Sequence, residues 1–372
     1  MTAEGTAVRP FRIEVPDSEL AELRDRLDRV RWEPEPRGAD AGYGIAQEVV
    51  RDLVTRWRER YDWRPWEARL NAYPQFVTTI DSATMHFLDI RSPQPDAVPL
   101  LLGHGWPGSV TEYLDVIGPL TEPRAHGVDS GPAFDLVIPS LPGSGWSGPT
   151  PDVGWNPRRI ARAWSELMRR RGYRRYGVAG NDWGSFIAPE LGRAAPEEVI
   201  GVHVTQVFPA GPGEIHASPY GHVHAGAPHT VAYALTDSPV GLLAWTAQCM
   251  TGLDPDALLT HVTIQWVTGT AGSALRIYAE EDRQQPPNGP TTLPVELAVP
   301  VGVAQFAGDW PSDRVLADFP HPGPLSFRGY DRGGHYAARQ APDLLAADLR
   351  AFFTECLGAQ RRAPGPGPGL RG

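Results

Sequence analysis

The sequence predicts an α/β protein with a mostly parallel central sheet and helices on both faces. Three observations carry this expectation. From Val98 onward, the short apolar runs Leu100–Leu102, Phe134–Pro139, Tyr176–Ala179 and Val199–Thr205 are separated by Gly/Pro turns and helical stretches, the βαβ rhythm of strands buried on both faces. The run at Tyr176 ends in Gly180-Asn-Asp-Trp-Gly-Ser185, where small residues permit a sharp strand-to-helix turn that lifts the Asp182 side chain above the sheet edge. After a long interruption, sheet-like runs resume at Val299–Phe306 and Leu325–Phe327.

The chain divides into five segments. Residues 1–95 read as an N-terminal extension. There Asp17 is a candidate N-cap for a helix with Leu20, Leu23, Leu27 and Val30 on one face, and a second helix carries Ile45, Val49, Val50, Leu53, Val54 and Trp57. The arginines between these positions read as a solvated face. Phe76–Asp81 and Thr84–Ile90 then alternate like a strand pair. Residues 96–210 hold the first part of the core, and Pro189 predicts a kink in the helix after Asp182. Residues 211–297 read as a helical lid rich in aromatics, with Tyr220, Tyr233, Trp245, Trp266 and Tyr278. Residues 298–358 complete the core with a helix over Pro342–Cys356. Residues 359–372, rich in Pro and Gly, have too little to bury and read as a flexible tail. No internal repeat is visible.

Composition removes whole classes of chemistry. Arg plus Lys is 34 against 44 for Asp plus Glu, a net charge of −10, and every one of those cations is arginine. Without lysine there is no Schiff-base, P-loop or pyridoxal-linked chemistry. The acidic balance argues against nucleic acid. Cys249 and Cys356 supply neither a disulfide framework nor a zinc quartet, which suits a reducing compartment, and both read as buried apolar residues. No signal-peptide core and no membrane-length apolar stretch stand in the sequence, so the expectation is a soluble cytoplasmic protein without a membrane partner.

The residue at the tip of the turn decides the chemistry. A serine there needs a base, whereas carboxylates ordinarily titrate near pH ~3.9 and are ionised at neutral pH. A carboxylate therefore suits displacement at saturated carbon, opening an epoxide or expelling a halide, and leaves an alkyl ester that water must cleave. A second motif, His104-Gly-Trp-Pro-Gly108, follows the run Leu100–Leu102. A strand-end loop of this kind lends a backbone N–H to an oxyanion hole, together with the N–H after the nucleophile. Those donors are Trp106 and Trp183. The third motif is Arg332-Gly-Gly-His335, a glycine-rich turn after the last predicted strand that can return an imidazole to Asp182. An orienting carboxylate belongs between Asp182 and His335 in the chain. Asp309, after Val301–Phe306, fits; Asp313 is the nearest competitor, and Asp331 lies too close to His335 in sequence. Each motif alone also has a plain reading, as a turn, a helix N-cap or a surface histidine, and it is their order that argues for a site. His222 and His224, at strand-like alternation, lack a third ligand and read as lid or pocket residues rather than a metal site.

Taken together the residues resemble the microsomal-type epoxide hydrolases, which have an α/β-hydrolase fold with an N-terminal extension. The resemblance covers about residues 10–358. It rests on Arg69-Leu-Asn-Ala-Tyr-Pro-Gln-Phe76, His104-Gly-Trp-Pro-Gly108, Gly180-Asn-Asp-Trp-Gly-Ser185, Tyr233-Ala-Leu-Thr-Asp-Ser-Pro-Val-Gly241 and Gly333-Gly-His335. The chain departs at Asn181, where the family often has glycine, and the sequence leads us to expect no counterpart of the membrane anchor of the mammalian members. The resemblance implies attack by Asp182 on an epoxide carbon, then hydrolysis of the ester by water that His335, oriented by Asp309, activates; a vicinal diol leaves. It further implies that two lid tyrosines, by motif position Tyr220 and Tyr278, hydrogen-bond the epoxide oxygen, as a phenol of pKa about 10 is suited to do. On the residues alone either tyrosine reads as lid packing. No metal or organic cofactor is implied.

The aromatic lid with Trp106, Trp183 and Phe208 suggests a bulky apolar or aryl epoxide. The all-arginine, Gly/Pro-rich composition is similar to that of actinomycete proteins, and related enzymes occur in secondary-metabolite pathways, including enediyne-type antibiotic biosynthesis. Oligomeric state is open, a homodimer included. Two other readings compete. A haloalkane dehalogenase also uses an aspartate nucleophile, and Trp183 permits halide binding; the tyrosine pair and the N-terminal extension favour epoxide. A non-catalytic ligand-binding protein on the same scaffold is opposed by the intact nucleophile and histidine.

Overall fold

In the computed structural model, described here over residues 7–39, 41–208, 218–283, 297–312 and 325–362, the chain starts with strand β1 (Arg9–Phe11) and helices α1 (Asp17–Asp28), α2 (Gln47–Glu59) and α3 (Trp63–Asn71). Strands β2 (Gln75–Ile80), β3 (Ala83–Ile90) and β4 (Val98–Gly103) follow, then α4 (Ile117–Thr121), β5 (Phe134–Pro139), α5 (Pro157–Arg170), β6 (Tyr176–Gly180), α6 (Trp183–Ala194) and β7 (Val199–Val204). Five helices come next: α7 (Pro219–Gly226), α8 (Pro228–Asp237), α9 (Pro239–Ala247), α10 (Pro255–Val267) and α11 (Arg276–Asp282). Strands β8 (Val301–Gly308) and β9 (Leu325–Gly334) and helices α12 (Ala337–Gln340) and α13 (Pro342–Arg362) close the chain.

The strands form one sheet in the order β1-β2-β3-β5-β4-β6-β7-β8-β9. Pairing is antiparallel from β1 to β5 and parallel from β5 to β9, as the βαβ rhythm predicts. Successive residues of the central strands point to opposite faces. Leu101, Val137 and Val178 meet Ile160 and Trp164 of α5 and Ile187 and Leu191 of α6. Leu100, Leu102, Leu136 and Ile138 meet Ile117 and Leu120 of α4 and Phe352 and Phe353 of α13. Each such side chain, fully buried, contributes about 1.5–3 kcal/mol. Several helices start with proline, at a position where no N–H is needed: α5, α7, α8, α9 and α10 all begin at proline.

Helices α7 to α11 lie over the sheet and are braced by the N-terminal helices. Arg56 of α2 makes a two-pronged ion pair with Asp256 of α10, at 2.6 and 2.8 Å. Trp57 Nε1 donates to Thr263 at 2.9 Å, and the Tyr61 and Thr260 hydroxyls meet at 3.0 Å. Among the described residues no helix is long and apolar enough to cross a membrane.

Several expectations need correction. Asp17 is the first residue of α1 rather than its cap; Pro16 holds the cap position, and the Asp17 carboxylate pairs with Arg64. Helix α3 is absent from the sequence reading, as is β1. The segment Arg332-Gly-Gly334 is strand rather than turn, because β9 runs on beside β8 with Gly308 opposite Gly334. Helix α13 extends to Arg362, so residues 359–362 are helical; Asp313 and residues 363–372 lie outside the described residues. His222 and His224 are on helix α7, not a strand. Pro189 does lie inside helix α6, where the sequence places it.

Candidate active site

The site grows from a topological switch. Strand β4 has β5 on one side and β6 on the other, so the loops leaving β4 and β6 part and open a crevice at the carboxyl edge of the sheet. Their last residues, Gly103 and Gly180, are register partners. Asp182, at the tip after β6, has φ 54° and ψ −122°, a conformation that costs a residue with a side chain roughly 1–3 kcal/mol. The surroundings hold it there. Asn181 N donates to Gly103 O at 2.9 Å, Ser185 N to Asp182 O at 2.8 Å, and Asp182 N to Gln206 Oε1 at 2.8 Å. A Cβ on Gly184 would run into the Gly103 carbonyl, and one on Gly105 would overlap the Asp182 carboxylate.

The two oxygens of Asp182 face different partners. Oδ1 accepts from Trp106 N at 2.8 Å and from Trp183 N at 2.7 Å. Oδ2 lies 3.4 Å from His335 Nε2. His335 Nδ1 is 3.1 Å from Asp309 Oδ1, which also accepts Trp310 N at 2.8 Å, while Asp309 Oδ2 accepts from Gln206 Nε2. Asp182, His335 and Asp309 thus stand in line. Burial works against a charged imidazole, yet the hydrogen bonds and charges of Asp182 and Asp309 outweigh it and lift the His335 pKa to about 10. At neutral pH His335 is a cation between two carboxylates.

His104 clamps the loop that carries Trp106. Its Nδ1 donates to Gly105 O at 3.0 Å and its Nε2 accepts from Leu141 N at 3.1 Å, an arrangement that requires the neutral ring. Burial agrees, pushing its pKa down to about 4.

From above, α7 and α11 bring Tyr220 and Tyr278 over the crevice. Tyr220 lies 5.5 Å from Trp106, Tyr278 lies 4.7 Å from Trp183 in an edge-to-face contact, and the two tyrosine rings are 6.5 Å apart. Burial raises the pKa of both, with the Asp182 charge adding to it, so both hydroxyls keep their protons at neutral pH. His224 is fully buried between Trp106 and Tyr278, at 4.5 and 4.7 Å, and accepts from Trp245 Nε1 at 2.8 Å. It packs as a pocket-wall residue. Tyr233 points to solvent, and Phe208 stacks on Phe186 at 4.7 Å. Among the described residues no group of His, Cys, Asp and Glu is arranged to hold a metal.

Sequence reasoning missed a polar hub beneath the site. Gln206 accepts from Asp182 N, Thr205 Oγ1 and Ser185 Oγ, and donates to Asn181 Oδ1 at 2.7 Å and to Asp309. Its signal was faint: a polar pair, Thr205-Gln206, just past an apolar strand at the edge where sites form.

A family model described as "Epoxide hydrolase N terminus" matches residues 8–113. A protein of Stigmatella aurantiaca is 37% identical over 380 residues, covering 94% of this chain and 85% of its own length. Epoxide hydrolase 1 of Sus scrofa is 31% identical, covering 94% of this chain and 89% of its own. Juvenile hormone epoxide hydrolase 2 of Ctenocephalides felis is 33% identical, with 92% and 85% covered. Among solved structures, the juvenile hormone epoxide hydrolase of Bombyx mori superposes with a TM-score of 0.82 at 26% identity, covering 95% of this chain and 96% of that one. The Aspergillus niger epoxide hydrolase superposes with a TM-score of 0.80 at 29% identity, covering 95% and 97%.

Proposed function

The chain belongs to the epoxide hydrolase family, with the α/β-hydrolase fold, and from that premise we propose that it converts an epoxide to a vicinal diol through a covalent ester on Asp182. The observation that carries this reading is the division of labour within one carboxylate. Oδ1 is held by two backbone N–H groups, and Oδ2 is left facing His335.

In the first step Oδ2 attacks an epoxide carbon, the ring C–O bond breaks, and Tyr220 and Tyr278 stabilise the oxygen by hydrogen bonding and proton donation. The donating tyrosine is reprotonated from solvent or from the imidazolium. The ester carbonyl is then Oδ1, already seated on the N–H groups of Trp106 and Trp183. Esterification also removes the Asp182 charge. One of the two carboxylates that hold the His335 pKa high is lost, the imidazole gives up its proton, and it becomes the base that the second step needs. Water attacks Cγ of Asp182 as His335 takes its proton; the two N–H donors stabilise the tetrahedral oxyanion, at roughly 3 kcal/mol each. Collapse breaks the Cγ–Oδ2 bond, and the former Oδ2 leaves in the diol with the proton from His335.

The ring-lined crevice of Trp106, Trp183, Tyr220, Tyr278 and His224 supports a bulky apolar or aryl epoxide as substrate. Composition alone supports the cytoplasmic location and the place in secondary metabolism, such as antibiotic biosynthesis, that complete this proposal; homodimer formation is left to a mass measurement in solution. Single turnover of an aryl epoxide in water enriched in heavy oxygen tests the chemistry. The expected result is label in the Asp182 carboxylate and an unlabelled first diol, which carries the former Oδ2. Label in the diol with unlabelled protein would overturn the covalent route.

A further inference from the structure

Glu112 is a carboxyl that the two steps above leave unused. It sits on the tight 3-10 turn Val110–Tyr113, just past the loop that carries Trp106, and is 2% exposed. Its Oε1 accepts a long hydrogen bond from Asn181 Nδ2, at 3.4 Å. Its Oε2 is buried without a hydrogen-bond partner. Leaving a buried acceptor unpaired costs about 1–3 kcal/mol, and a fold that keeps such a group beside its reactive centre has a use for it.

Its neighbourhood is the reaction site. A Cβ on Gly108 would meet Glu112 Oε2 at 2.7 Å and Gly105 O at 3.3 Å, and Gly105 itself abuts the Asp182 carboxylate. Oε2 therefore packs against the same loop that grips Asp182. The titratable groups acting on Glu112 are Tyr113 on its own turn, Asp182 from the elbow and His335 from the loop after β9. Tyr336, next to His335, also buries a hydroxyl without a partner, and Asp182 and Glu112 are the first two titratable groups acting on it. Burial lifts the Glu112 pKa to about 8. At neutral pH it is an uncharged acid that adds no second anion beside Asp182.

We propose that Glu112 is the second hydrogen-bond partner of the hydrolytic water, holding it through Oε2 while His335 Nε2 removes its other proton. Water oxygen bonds to Cγ of Asp182, one water proton goes to His335 and then to the departing diol oxygen, and the other stays hydrogen-bonded to Oε2, the carbonyl oxygen of the neutral acid whose own proton sits on Oε1, so that Glu112 gains and loses no proton. The alkylation step does not involve this water. Glu112 thus positions a reactant of the second half-reaction only, and the inference rests on the covalent Asp182 reading.

Rapid-quench single turnovers with styrene oxide, the Asp182 ester being measured from intact protein mass, separate the two halves. In Glu112→Ala, ester formation stays within about threefold of the unmodified enzyme while ester hydrolysis slows about 10–100-fold, the scale of losing one positioned reactant, so ester accumulates and KM falls with kcat. Glu112→Gln keeps the shape and an acceptor and recovers most of the rate. Its pH profile supplies a second readout. Hydrolysis by the unmodified enzyme falls in the alkaline range as Glu112 ionises beside the developing oxyanion, and Glu112→Gln lacks that fall. Equal slowing of both halves in Glu112→Ala, or an alkaline limb unchanged in Glu112→Gln, overturns the inference. His335→Gln is the control: if it too accumulates no ester, the covalent reading itself fails, whereas ester in His335→Gln without ester in Glu112→Ala sinks the role of Glu112 alone.

Discussion

Gln206 donates through Nε2 to Asp309 Oδ2, the carboxylate oxygen that His335 leaves free, and its Oε1 accepts the backbone N–H of Asp182 at 2.8 Å. One side chain thus fixes both ends of the proposed triad. Removing it unpairs a strained backbone amide and one oxygen of a buried carboxylate. Hydrogen bonds to charged groups contribute about 1.5–3 kcal/mol, so Gln206→Leu is expected to lower kcat/KM by roughly 10–150-fold, with the loss mostly in kcat. Steady-state kinetics beside a thermal melt checks it; unchanged kinetics would remove Gln206 from the positioning machinery.

His335 makes stability depend on pH in a definite direction. Its pKa is raised from 6.5 to about 10 in the folded protein, so its contribution is complete below pH 6.5 and is lost as pH rises through 10. The unmodified protein is expected to lose this increment between those limits, and His335→Gln to show a flatter curve. Urea unfolding at a series of pH values measures both. A second check uses the proposed origin of the shift: Asp182→Asn should lower the His335 pKa, read from its imidazole resonances.

Gly105→Ala is expected to abolish activity while leaving the fold intact. The added methyl would overlap the Asp182 carboxylate and the Trp183 N–H, so Oδ1 can no longer keep its two donors. At roughly 3 kcal/mol per donor, a loss of about 10²-fold or more follows. Activity near the original level, with an unchanged far-ultraviolet spectrum, would contradict the geometry.

Tyr220→Phe and Tyr278→Phe each remove one hydroxyl from the proposed ring-opening step and should leave the ester-cleaving step alone. Each is expected to slow alkylation by about 10²-fold, the usual scale for a general acid, and the double variant to slow it further. Because both phenol pKa values are raised, ring opening should persist well into the alkaline range. Burst kinetics distinguishes this from a defect in hydrolysis.

Away from the site, Asp348 is expected to be the most costly polar side chain to remove. Buried on α13, it accepts from His203 of β7, from the Tyr330 hydroxyl of β9 at 2.6 Å, and from Arg328 at 3.3 Å. Burial opposes its charge, but these partners prevail and lower its pKa. Asp348→Ala should destabilise by about 3–5 kcal/mol. The increment is present above pH 3.8 and is lost as pH falls through the depressed folded value, so the variant should show a weaker acid transition in a denaturant titration.

The parts of this molecule legible in the sequence are those with a local chemical reason. The elbow announces itself because Gly180, Gly184 and Asp182 are each required at their own position, and the parallel strands because they are buried on both faces. Gly333 and Gly334 misled for the same cause: they read as a turn, but they let β9 run close to β8, where a Cβ on Gly308 would meet Gly333 O at 2.9 Å. Helix α3 hid behind Pro65 in its first turn, although Asp62 caps it through Arg64 N at 3.0 Å. Gln206, Asn181 and Glu112 have no periodicity to betray them. Their partners come from other strands and turns, and only the folded sheet brings those together.

The bonds from Arg56, Trp57 and Tyr61 to α10 mean that the roof over the crevice has foundations in the first quarter of the chain. A chimera that exchanges α7–α11 for those of a relative, to change which epoxides enter, must carry the matching α2 and the residue at Tyr61 with it. Otherwise the transplanted tyrosines arrive without the scaffold that fixes their height above Asp182.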